Sequence, residues 1–129
     1  SVPLEAIISS KLSRSIITAE AVAAKHPNAL FVETELLNEV DTGIYTGKPA
    51  SLLDWHNLPD EGMESIEELY ARAGRLLDWL RSRFDGKCLL AVGHGAYNRA
   101  IVAAINGTGA RSMLEFPIMG NTEVMQFFI

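Results

Sequence analysis

The run Cys88-Leu89-Leu90-Ala91-Val92 passes straight into Gly93-His94-Gly95, and an apolar-periodic segment from Tyr97 to Asn106 follows. This pattern reads as a buried strand turning directly into a helix. Open α/β sheets hold ligands at such junctions, because the carboxyl ends of strands and the amino ends of helices converge there. Flanking glycines let backbone N–H groups approach an anion closely, and an imidazole adds a proton or a positive charge beside it. His94 is therefore a candidate phosphate-site residue. The competing use of a histidine here is to cap the turn for packing.

The rest of the chain alternates between the two periodicities. Leu4 to Ser9 reads as a short strand; Leu12, Ile16, Ala19 and Ala23 then recur at helical spacing until Pro27, and Leu30-Phe31-Val32 predicts a second strand. From Asn38 to Met63 the pattern breaks up around Gly43, Gly47, Pro49, Pro59 and Gly62, which predicts a long functional loop with a short helix near Leu52 to Trp55. Ser65 with Glu68 three residues on forms a capping box. Ile66, Leu69, Tyr70, Ala73, Leu76, Leu77, Leu80 and Phe84 then line one helical face before Gly86 closes it. A last strand is expected from Glu123 to Phe128, after a Gly120-Asn121 turn. The alternation implies an α/β fold, a sheet covered on both faces by helices.

Composition narrows the function classes. A chain of 129 residues, 48% hydrophobic and 21% charged, can bury one core, so a single domain over residues 1–129 is expected. The net charge of −5 argues against a nucleic-acid surface, while a small anionic substrate remains open because only local charge matters in a cleft. The lone Cys88 excludes an internal disulfide and is expected in the core rather than as a nucleophile. No apolar stretch approaches the ~20 residues that span a bilayer. Nothing at the start resembles a signal peptide, so a cytoplasmic location is expected.

A second anion site is predicted at the first strand-to-helix junction. Ser9-Ser10-Lys11-Leu12-Ser13-Arg14 offers hydroxyls, helix N–H groups and two cations. Basic residues in a first helical turn oppose the macrodipole, so a compensating anion is expected beside them. The plainer alternative is that Ser10 caps the helix while Lys11 and Arg14 are solvated.

Taken together, these segments resemble the histidine phosphatase superfamily, also called the phosphoglycerate mutase-like family. Ser9-Ser10-Lys11-Leu12-Ser13-Arg14 with Thr18-Ala19 is similar to that family's Ser-Ser-x-Leu-x-Arg segment and its trailing Thr-Ala. Leu37-Asn38-Glu39-Val40-Asp41-Thr42-Gly43 resembles its Leu-x-Glu-x-x-x-Gly block, with Tyr45 where an aromatic is usual. Gly62-Met63-Glu64-Ser65 resembles its Gly-Gly-Glu-Ser turn, and Val92-Gly93-His94-Gly95 its second histidine motif. The four blocks run in the family's order from about Ile7 to the end. The resemblance implies a three-layer α/β/α fold and a metal-independent phosphomonoester hydrolase working through a phosphohistidine, with no cofactor and a small phosphorylated metabolite as substrate.

Site roles follow by resemblance. Phosphoryl transfer needs an in-line nucleophile, positive donors around the equatorial oxygens and an acid for the leaving oxygen. Arg14 would clamp the phosphate, with Ser10 nearby, and His94 with the Gly95 N–H would stabilise the transferring group. Glu39 would donate the proton. Glu64 is expected to serve the helix start beside Ser65. Arg99 is expected in a structural salt bridge, and Asn121 could approach the site from its turn. Only Val40 to Asp60 separates the Leu-x-Glu block from the Gly-Glu-Ser turn, which favours the compact phosphatase branch over the dedicated mutases. Tyr45 and Trp55 are candidates for a substrate loop, Trp55 serving either to stack on substrate or to close the loop onto the core.

One departure qualifies the match. Family members open with a strand ending in Arg-His-Gly, whose histidine is the nucleophile, and this chain contains no Arg-His-Gly. His26 and His56 lack a nucleophile's context. The chain is expected to be a truncated member missing its first strand, first helix and attacking residue, and so inactive alone. In the resembled fold that strand is central, beside the one carrying His94, so strand complementation or oligomerisation is expected. A serine hydrolase would put serine where His94 stands, and the three histidines show no metal-ligand spacing. The rival reading is a non-catalytic phosphoryl-ligand-binding or protein-interaction module on a degenerate phosphatase fold. In-frame coding for Arg-His-Gly upstream of Ser1 would decide for the enzyme.

Overall fold

The four residues of β1 (Ala6–Ser9) are all buried, because this strand lies between two others. The computed structural model describes residues 3–41, 64–117, 120 and 123–129. In chain order follow α1 (Ser13–Ala23), β2 (Leu30–Glu33), a 3-10 turn at Glu35–Leu37, α2 (Ile66–Phe84), β3 (Leu89–Val92), α3 (Gly95–Asn106) and a second 3-10 segment at Ala110–Glu115. The sheet order is β2-β1-β3, all parallel, with Ser9 in register with Glu33 on one side and Val92 on the other. The carboxyl ends of all three strands are therefore level. The loops after β1 and β3 emerge side by side.

Alternation along β1 divides the layers. Ala6 and Ile8 pack with Leu37 and with Leu76, Leu80 and Phe84 of α2, joined by half-buried Val32, Leu89 and Ile101. Ile7 and Ser9 point to the opposite face, where the Ser9 hydroxyl meets Ser15 of α1. The expected three layers are present, with α1 on one face of the sheet and α2 on the other. A second cluster joins α2 and α3 through Leu69, Ala73, Ala96, Tyr97, Ala100 and Ala103, with Met113 from the second 3-10 segment.

The α2 start follows its expected chemistry. The Ser65 hydroxyl accepts from the Glu68 N–H at 3.0 Å, and the Glu68 carboxylate accepts from the Ser65 N–H at 3.1 Å. Glu67 and Glu68 occupy the first turn and Arg81 and Arg83 the last, each sign matching the helix dipole. α3 begins at Gly95, directly after His94 and two residues before the expected Tyr97.

Three expectations are corrected. β3 is half-buried rather than buried, with Ala91 exposed, because it pairs only with β1 and no strand among the described residues lies along its other edge. Cys88 is likewise half-buried, outside the core just before β3, its N–H donating to a Glu5 carboxylate oxygen at 2.8 Å. Residues 123–129 form no strand and are exposed, Phe128 at 92%. A strand-like pattern makes a strand only where a partner supplies the ladder, and none among the described residues runs beside this segment. The short helix expected near Leu52 to Trp55 lies outside the described residues.

Candidate active site

The level strand ends bring the two predicted anion junctions together. The Ser10 N–H extends the pairing of β1 and β3 by donating to the Val92 carbonyl at 3.2 Å, and the next residues on each strand carry the site. His94 Nε2 lies 2.8 Å from the Ser10 hydroxyl, a contact between residues 84 apart in sequence. His94 is 6% exposed and Ser10 fully buried. Ser10 also hydrogen-bonds the Ser15 hydroxyl, which donates to the Leu12 carbonyl at 3.0 Å. The buried hydroxyls thus satisfy one another instead of capping α1, whose N-cap is Leu12 with no side-chain bond. A weaker tie to the helix start remains, from the Leu12 N–H to the Ser10 hydroxyl at 3.3 Å.

His94 is the N-cap of α3, in extended conformation, so its ring faces Ser10 rather than the helix. Burial pushes the imidazole below its ordinary value of 6.5; Glu39 opposes this, while Arg14 and Arg72 add to it. Both predicted site charges, Arg14 and Glu39, therefore act on one ring. Arg14 is exposed at the start of α1 and makes no ion pair among the described residues. A Cβ at Gly93 would lie 2.8 Å from Asn98 Oδ1, so a larger residue there would displace the Asn98 side chain.

Glu39 reaches the site from the segment after the first 3-10 turn. Its Oε1 accepts from the Val40 N–H at 2.9 Å and from the Tyr97 N–H at 2.9 Å, and its Oε2 from the Ala96 N–H at 3.4 Å. The carboxylate thus caps α3, where the helix presents free donors and the positive end of its dipole. Glu39, Gly95 and His94 meet at that helix end. The Lys11 N–H donates to Asn38 Oδ1 at 2.9 Å, tying the first junction to the Glu39 segment.

Glu64 does not serve the start of α2. Ser65 and Glu68 already fill that terminus, so the Glu64 carboxylate turns to the Arg72 guanidinium, accepting from Nε and from an Nη at 2.9 Å each. It also accepts from the Asp41 N–H at 2.9 Å, while its own N–H donates to the Asp41 carbonyl at 2.9 Å. Arg99 is buried on α3, its Nε–H reaching the Ala96 carbonyl at 3.4 Å. Burial lowers its pKa and the Glu39 charge opposes this, which sets Arg99 in the same electrostatic neighbourhood.

Arg72 and Tyr97 are the residues that sequence reasoning missed. The signal for Arg72 was a charge inside the apolar stripe of α2, three residues after Leu69 and four before Leu76. Tyr97 lies under the Arg72 guanidinium, 3.8 Å from it, and burial pushes its phenol up to about 12. Tyr45, Trp55, His56 and Asn121 lie outside the described residues. His26 follows the far end of α1, away from the site. Among the described residues no group of three or more histidine, cysteine or acidic side chains could hold a metal ion.

The fold is thus a parallel three-layer α/β arrangement with a buried histidine, a serine hydroxyl and a helix-capping carboxylate at its strand ends. The sequence profile of the histidine phosphatase superfamily (branch 1) matches residues 1–128, and the chain belongs to that family. Among solved structures it is similar to YhfR of Bacillus stearothermophilus, with a TM-score of 0.74 and 23% identity over 92% of this chain and 65% of that one. A mycobacterial glucosyl-3-phosphoglycerate phosphatase gives a TM-score of 0.73 at 23% identity, covering 94% of this chain and 66% of that one. A phosphoserine phosphatase of Entamoeba histolytica, in complex with phosphoserine, gives 0.69 at 22%, covering 91% and 64%. The chain spans about 65% of the length of these proteins. No curated protein sequence matches it.

Proposed function

We propose that residues 1–129 act as one unit supplying the phosphate-holding and proton-donating side of a phosphomonoester hydrolase. The observation that carries this is the convergence at the strand ends: His94 Nε2 lies 2.8 Å from the Ser10 hydroxyl, and the Glu39 carboxylate caps the helix that His94 opens, with the Arg14 charge felt at the same imidazole. Arg14 would clamp the phosphoryl oxygens, and His94 with the Gly95 N–H would stabilise the transferring group. Glu39 would donate to the leaving oxygen from its place at the first turn of α3. Tyr45 and Trp55 are proposed for the substrate loop. Relatives described as acting on phosphoserine, glucosyl-3-phosphoglycerate and α-ribazole-5′-phosphate support a small phosphorylated metabolite as substrate. We place the reaction in the cytoplasm and independent of metal; no helix among the described residues is long and apolar enough to cross a membrane.

The sequence contains no Arg-His-Gly, so we place the attacking histidine outside these 129 residues, on a strand along the edge of β3 that no described strand occupies. Its imidazole would attack phosphorus while the ester oxygen leaves with a proton from Glu39. Water would then attack the phosphohistidine with Glu39 taking the proton back, releasing phosphate. A second chain could supply such a strand equally well, by complementation.

The test is binding. Phosphate or vanadate should raise the thermal midpoint, because a ligand held only by the folded state at about 100 times its Kd stabilises by about 2.7 kcal/mol. Arg14→Ala should abolish the shift. Equal shifts in variant and parent would show that Arg14 and His94 serve different sites.

A further inference from the structure

We propose that Arg72 is the positioning residue for Glu39, gripping the backbone of its segment so that the carboxylate stays on the first turn of α3 beside His94. This rests on the reading of Glu39 as proton donor, although the grip itself is independent of that role. One Nη of Arg72 donates to the carbonyls of Leu36 at 3.2 Å and Asn38 at 2.7 Å, with Glu35 at 3.4 Å. The other reaches the Glu39 carbonyl at 3.5 Å and the Glu64 carboxylate at 2.9 Å. Glu64 in turn holds Asp41 through both its backbone groups. The peptide is thus fixed on either side of Glu39.

Tyr97 closes the arrangement. Its N–H binds the Glu39 carboxylate at 2.9 Å while its ring lies 3.8 Å from the Arg72 guanidinium, so Arg72 and Glu39 hold the same residue from two sides. An apolar side chain would suit this position of the α2 stripe if packing were the only demand. A buried cation is costly unless its bonds are all made, and the acceptors of this one are the Glu39 segment and Glu64, the residue that pins it. The planar fork is needed to reach carbonyls and carboxylate at once. A lysine keeps the charge and loses that geometry.

The experiment follows the His94 ring by NMR against pH in phosphate-free buffer, in the 129-residue chain, alongside the Ala96 and Tyr97 amide signals. The charges that act on the ring are Glu39, Arg14 and Arg72. Arg72→Lys keeps the cation, so a fall in the His94 titration point with displaced Ala96 and Tyr97 amides reports that Glu39 has left. Arg72→Met should give the same downward shift, since Glu39 outweighs Arg72 at the ring. In a Glu39→Gln background Arg72→Met should reverse sign and raise the titration point, because only a cation is then lost. A rise or no change in either single variant overturns the proposal. Should both fail to fold, Glu64→Gln must give the downward shift, and an unmoved ring there overturns it equally. Adding phosphate to the parent sample separates the two ideas: a His94 signal insensitive to phosphate sinks the phosphatase reading and leaves the Arg72 result standing.

Discussion

His94 should make the protein lose stability on mild acidification, and the sign follows from its burial. Its folded-state pKa lies below the ordinary 6.5, chiefly because the buried ring resists charging. Between the folded and unfolded values the unfolded chain binds the extra proton, so stability is full above about pH 6.5 and falls as pH drops through that region. A ring that stayed neutral throughout would cost about 1.4 kcal/mol between about pH 7.5 and 5.5. Glu39, which raises the ring, keeps the loss below that ceiling. His94→Gln removes the titration while leaving a polar atom near the place of Nε2, 2.8 Å from Ser10. Urea midpoints of parent and variant, taken across this range in phosphate-free buffer, give the difference directly, because every other side chain is common to both. The parent's advantage should shrink as pH falls. Parallel curves, or a parent that gains on the variant at low pH, would refute the argument.

Two glycines should respond in opposite directions to alanine although neither would meet a neighbour within 4 Å. Gly107 ends α3 at a φ of 67°, so Gly107→Ala should destabilise by about 1 kcal/mol through backbone strain alone. Gly74 lies inside α2, so Gly74→Ala should stabilise by about 1 kcal/mol; chemical denaturation reads both. Ser65→Ala removes the acceptor for the Glu68 N–H and should cost about 1 kcal/mol in the same assay, whereas an unchanged midpoint would mean that the capping box contributes nothing.

Much of this was legible before any coordinates. The capping box at Ser65, the helical face from Ile66 to Phe84 and the strand-to-helix turns at Ser9-Ser10 and Gly93-His94-Gly95 are local patterns, written within a few turns or one strand of the chain. Each reappears within a residue or two of its expected place. The segment from Glu123 to Phe128 shows the limit of that signal: its composition suits a strand, yet residues 123–129 form none, because a ladder needs a neighbour that local periodicity cannot provide.

The amino-acid sequence by itself marked the helical faces, the candidate strands and the residue types that stand at the strand ends. Only the tertiary structure decided which of those ends are neighbours. Strand order put β1 between β2 and β3, and that set Ser10 against His94 across 84 residues. The packing of α2 over the first 3-10 turn turned a charge in an apolar stripe into the clamp on Glu39, and drew Glu64 from the helix start to Arg72. These contacts depend on desolvation and on partners distant in the chain: a buried guanidinium must find its acceptors wherever the fold brings them, and residue spacing carries no record of where that will be.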